Sequence, residues 1–151
     1  EENMNAKDTP MKKVTLSHLS NYITEHLDIS DRMLCNLIGI TPAALSSQKE
    51  SALEGIMKNK VGRRVSQMFV VVHHFALQGI SKEIIFESIH LPVLKDFKDN
   101  MDSISTSIQQ DKYEAEVLIE MGKLAYQEYQ RRLQAKDELY PAVKELLAEA
   151  I

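Results

Sequence analysis

The chain has 151 residues, a length that suits one medium domain or two small helical ones packed together. Hydrophobic residues make up 44% of it, enough for a packed core and too many for extended disorder. The net charge of −4 speaks against indiscriminate nucleic-acid binding, and a single cysteine, Cys35, excludes an internal disulfide and fits a reducing cytoplasm.

In chain order, residues 1–14 are expected to form a flexible tail, and Met4 to Val14 is polar and lysine-bearing, without a secretory signal. Thr15 is placed to cap a first helix, whose buried face is Leu16, Leu19, Ile23 and Leu27. Ser30 caps a second helix over Asp31 to Ile38, and Gly39 stops it. Thr41 and Pro42 start a third helix that runs to about Lys49. Ser51 to Met57 reads as another short helical piece. Val61 to Gln78 is the most apolar helix, with Val65, Met68, Phe69, Val72 and Phe75 on its inner face. Three consecutive valines, Val70 to Val72, suit a strand as well, but the length and the stop at Gly79 favour a helix. Ser81 caps the next helix, which ends before Pro92.

Pro92 to Gln110 has the weakest periodicity and is expected to be loops around a short helix. A long helix follows from about Asp111 to Leu139, with Leu118, Met121, Ala125, Tyr129 and Leu133 as its apolar stripe. Pro141 is expected to kink or restart it, leaving an amphipathic end with Val143, Leu146, Leu147 and Ile151. No apolar run approaches the roughly 18 residues of a membrane span. The fold class is therefore all-α.

The stretch from Asp31 to Glu50 carries the functional argument. Two short helices meeting at a sharp angle need a small residue within the first, a glycine at the turn, and apolar residues pinning both to a core. Cys35, Gly39 and the set Leu34, Ile38, Ile40 and Leu45 meet those needs. The unit resembles the helix-turn-helix of the lambda-repressor and Xre type. Its usual Leu-Gly-Val-Ser turn reads here Ile38-Gly39-Ile40-Thr41. The resemblance implies that Pro42 to Lys49 is a recognition helix for the major groove of double-stranded DNA. Thr41, Ala43, Ser46 and Ser47 would then face the bases, with Arg32 near a phosphate.

Basic residues are densest just beyond. Lys49, Lys58, Lys60, Arg63 and Arg64 outnumber Glu50 and Glu54, and they are expected to add phosphate contacts. Two positions depart from the pattern. Gln48 stands where an apolar anchor is usual, and Glu50 falls where a carboxylate would meet the DNA backbone. The same residues would also suit a helical hairpin that serves packing alone.

The order of elements is more distantly similar to the Xre/MbcA/ParS antitoxins, whose C-terminal helical domain binds a partner toxin. This chain lacks the tryptophan of that family's Trp-Leu element. On this resemblance Val143 to Ile151 is a toxin contact. The long helix also offers its apolar stripe to a second copy, because readers of paired half-sites work as homodimers. The expected organisation is a helix-turn-helix region over residues 15–60, then a helical core and interaction or dimerisation region over 61–151.

Nothing in the chain asks for catalysis or a cofactor. His73 and His74 are adjacent, so on a helix they point about 100° apart and do not share a metal. His18 and His26 share a face without further ligands at suitable spacing. Asp96, Asp99 and Asp102 resemble a calcium loop, but the sixth place is Met101 and the twelfth Ser107, where glycine and glutamate are required. Cys35 is expected to be buried and unreactive. The expected function is a cytoplasmic, sequence-specific transcriptional regulator. The alternative is a protein-binding module, an antitoxin or adaptor, that makes no DNA contact.

Overall fold

Short polar side chains begin most helices of this chain, which the computed structural model describes over residues 14–94 and 101–150. The tail expected over residues 1–14 lies outside the described residues except for Val14, as do Asp96 and Asp99. The helices are α1 (Leu16–Leu27), α2 (Asp31–Ile38), α3 (Pro42–Gln48), α4 (Leu53–Ile56), α5 (Lys60–Leu77), α6 (Lys82–His90), α7 (Ile104–Gln109) and α8 (Ala115–Glu149). Ser30 accepts the Met33 N–H at 3.1 Å and Thr41 the Ala44 N–H at 3.1 Å. Asn59 accepts the Gly62 N–H at 2.8 Å, and Ser103 the Thr106 N–H at 3.0 Å. Each cap satisfies a donor that the first helical turn cannot.

The architecture is all-α, as expected. A two-residue antiparallel pair, Val93–Leu94 with Met101–Asp102, lies between α6 and α7 in the chain. Val70 to Val72 are helical, with Val71 and Val72 buried. Helix α1 lies along α5, α5 and α6 pack on α8, and α2 rests on α7. One cluster of buried side chains runs through all of these contacts, from Leu16, Ile23 and Leu34 to Met68, Ile85 and Leu118.

Two boundaries differ from expectation, each for a local reason. Helix α8 begins at Ala115 rather than Asp111, because Asp111 takes a left-handed conformation (φ 54°) that an α-helix does not accommodate. It then continues through Pro141 without a break to Glu149. Pro141 removes one donor to the carbonyl four residues back. That carbonyl belongs to Asp137 on an exposed stretch, where it stays open to solvent.

Only the first part of α8 is buried, at Leu118, Met121, Gly122 and Ala125. None of the described helices is long and apolar enough to cross a membrane. Burial separates the expected cost of two truncations. Met68→Ala, at a fully buried site, should lower unfolding free energy by about 2–5 kcal/mol in urea titrations. Leu77→Ala, at a site 74% exposed, should change it by less than about 0.5 kcal/mol.

Candidate nucleic-acid interface

The turn between α2 and α3 is built around Gly39, which adopts φ 72° and closes α2 by donating its N–H to the Cys35 carbonyl at 2.8 Å. A β-carbon there would meet Gln109 Cγ at 2.9 Å and an Arg64 Nη1 at 3.1 Å. Both the backbone angle and the space therefore demand glycine.

Those two neighbours are functional parts of the turn. Arg64 Nη1 donates to the Ile38 carbonyl at 3.1 Å and to the Gly39 carbonyl at 2.7 Å. Gln109 Nε2 donates to the carbonyls of Asn36 and Leu37 at 3.2 and 3.1 Å, and the Ser105 hydroxyl also donates to Leu37. The last turn of a helix leaves its carbonyls without intrahelical donors. Here side chains from α5 and α7 supply them. The other edge of the Arg64 guanidinium grips Asp111, with Nε and Nη2 at 3.1 and 2.7 Å from its two oxygens. Arg63 joins from outside, 2.8 Å from the same carboxylate. The Arg64 hydrogen bonds, followed by those of Arg63, hold the Asp111 carboxyl well below the usual carboxylate range, at about 2.

Arg64 requires a correction. Expected to contact phosphate, it is only 7% exposed, because the turn carbonyls and Asp111 draw its guanidinium inward. Arg63 is partly committed to the same carboxylate and to the Lys58 carbonyl.

The other expected residues lie at the surface. Helix α3 is anchored by Leu45, which is buried, with Ala44 and Gln48 half-buried beside it. Thr41, Ala43, Ser46 and Ser47 are exposed along its outer side. Thr41 caps the helix, and the Ser47 hydroxyl donates to the Ala44 carbonyl at 3.1 Å. Lys49, just past the helix, pairs with Asp31 at 2.6 Å, next to the exposed Arg32 at the start of α2.

Gln48, where an apolar anchor was expected, accepts a hydrogen bond from Asn59 at 3.1 Å. A polar clasp therefore replaces the apolar one. It also brings the exposed Lys58 and Lys60, which flank Asn59, to the C-terminal end of α3. Gly62 lets this junction close, since a β-carbon there would fall 2.0 Å from the Ile56 carbonyl oxygen. The segment after α3 is stitched to the start of α1, with the Ser17 N–H donating to Lys49 at 2.9 Å and the Leu53 N–H to Val14 at 2.9 Å. Lys49, Lys58 and Lys60 thus lie near the C-terminal end of α3, where Glu50 is also exposed, and Arg32 is exposed beside the Asp31 that Lys49 pairs with.

Sequence reasoning missed the supports of this unit: Asn59, Ser105, Gln109 and Asp111. Asn59 had a local signal, an N-cap residue directly ahead of an apolar run. The other three act through contacts between residues distant in the chain, for which one sequence holds no sign. Among the described residues no group of three His, Cys, Asp or Glu side chains is placed to hold a metal. His73 Nδ1 instead lies 2.9 Å from the Tyr22 hydroxyl, and His74 pairs with Gln78. Cys35 is fully buried in α2, and that burial, followed by the nearby Asp31 charge, pushes its thiol pKa up.

No family model matches the chain, and no curated protein or solved structure matches it.

The Arg64–Asp111 contact sets a pH test. A carboxylate held below its unfolded value of roughly 3.9 contributes stability above that pH and loses it as pH falls through the folded value. Wild type should therefore exceed Asp111→Asn in urea midpoint at neutral pH, and the gap should close between about pH 4 and the folded value of about 2. Arg64→Ala, which strands the turn carbonyls, should cost about 2 kcal/mol or more at neutral pH.

Proposed function

We propose that this chain is a sequence-specific DNA-binding transcriptional regulator, without catalytic activity, that works in the cytoplasm through its helix-turn-helix. The observation that carries this reading is the open outer side of α3. Ala43, Ser46 and Ser47 are uncovered while Leu45 alone is fully buried beneath them. A helix held by one inner face and free on the other can enter a major groove, where small hydroxyl side chains approach the base edges.

The lysines gathered at its end favour the same use. Lys58 and Lys60 make none of the ion pairs seen among the described residues, and each can neutralise a phosphate. Homodimer formation belongs to this reading, since two half-sites multiply the weak affinity of one. A protein-binding role, as an antitoxin or adaptor, is the second reading, and the exposed apolar residues near the end of α8 favour it.

A titration of the protein against DNA from its own upstream region, at several salt concentrations, tests the proposal. A specific complex whose affinity falls steeply with salt is expected. Lys58→Ala with Lys60→Ala should weaken binding to all sequences alike and reduce the slope of log K against log salt by about 2. Ser46→Ala should change preference at particular base pairs by about 1 kcal/mol. Equal, salt-insensitive binding of wild type and lysine variant to every duplex would refute the reading.

A further inference from the structure

Methionine sulfur is divided unevenly between core and surface. Met68 and Met121 are sealed in the core, whereas Met33 and Met57 are 41% and 43% exposed. Both exposed residues adjoin cations of the candidate interface, Met33 following Arg32 and Met57 preceding Lys58. Their surroundings differ in one respect. The Met57 sulfur accepts a hydrogen bond from the Ser66 hydroxyl at 3.4 Å, and Ser66 sits on α5 only 9% exposed.

Met57 lies where the chain passes from α4 into α5, and that junction is tightly closed. The Ile56 carbonyl comes so near Gly62 that no β-carbon fits between them. Two residues after Met57, Asn59 caps α5 through the Gly62 N–H at 2.8 Å and clasps Gln48 at 3.1 Å. Arg63 donates to the Lys58 carbonyl between them at 3.2 Å. The Met57 sulfur is therefore one fixed point of a short segment that holds the C-terminal end of α3.

We propose that Met57 is a site of oxidation by peroxide, through which the clasp on α3 is loosened. The sulfur attacks one oxygen of hydrogen peroxide. An S–O bond forms as the O–O bond breaks, and the other oxygen leaves as water with both protons. Sulfur gives up two electrons and the peroxide takes them. A thioether has two lone pairs. The Ser66 hydroxyl engages one, and the exposure of the side chain leaves the other to the reagent.

The sulfoxide is polar where the thioether was apolar, and its oxygen accepts a hydrogen bond far better than the sulfur did. Ser66 then bonds oxygen rather than sulfur, which moves the sulfur one bond further from α5. Because Met57, Lys58 and Asn59 are consecutive, the shift passes to the cap on Gly62 and to the clasp on Gln48. At Met33 the sulfur has no such tie among the described residues, so oxidation there displaces nothing.

The inference names a regulation of the proposed interface and rests on the DNA-binding reading for its effect on DNA, but the loosening itself is measured without DNA. The full chain is treated with limiting hydrogen peroxide and followed by peptide mass mapping and amide hydrogen exchange. Met57 should gain oxygen about tenfold faster than Met68 and Met121. Exchange of the Gly62 amide should then rise by about tenfold in wild type and in Met33→Leu. It should stay unchanged in Met57→Leu, which keeps the volume but carries no sulfur. Ser66→Ala should oxidise at Met57 without the rise, because the tie is gone. In a separate titration, peroxide should weaken DNA binding of wild type by about threefold or more and leave that of Met57→Leu as it was.

Oxidation of Met57 no faster than that of the two core methionines would overturn the proposal. Unchanged Gly62 exchange in the oxidised wild type, or a rise that persists in Met57→Leu or Ser66→Ala, would overturn it as well. If exchange responds as expected while untreated wild type binds no DNA, the DNA reading fails and the oxidation site stands.

Discussion

The arrangement of this protein turns on one guanidinium group. Arg64 projects from the apolar helix α5, yet its donors are divided between the carbonyls that end α2 and the carboxylate of Asp111 ahead of α8. A buried cation without partners would be severely unfavourable, and a helix end without donors would be as well. Each problem removes the other. The result ties three parts of the chain, separated by 25 and 47 positions, at one point.

Because of that tie, α3 is held without being covered. Its inner side is fixed by Leu45 and by the Gln48–Asn59 clasp, and its beginning is fixed by a turn that Arg64 and Gln109 hold from behind. No other helix has to lie across Ala43, Ser46 or Ser47 to keep α3 in place. The supports come from α5 and α7, which belong to the larger core. The exposed unit and the helices behind it therefore share their rigidity.

The helices themselves were largely legible in the sequence, because their signals are local. Ser30, Thr41 and Ser81 cap helices as read, and Gly39 turns the chain at the expected place. Helix α8 was less legible at both ends. Its start depends on Asp111 being held by two arginines from a distant helix, and its passage through Pro141 depends on the exposure of the far arm. The candidate interface divided along the same line. Thr41, Ala43, Ser46 and Ser47 are exposed because helical periodicity separates them from Leu45, which a sequence can reveal. The inward turn of Arg64 could not be read in that way, since an arginine in a basic stretch looks alike whether its partner is a phosphate or a backbone carbonyl.

Cys35, the one cysteine in the sequence, lies sealed beneath the same turn. A thiol that is both protonated and shielded from solvent reacts with alkylating reagents only when the surrounding helices part. The chain thus contains its own reporter of local opening. The rate at which this sulfur becomes labelled measures how often the turn and its helices separate, in the native protein and without any added probe.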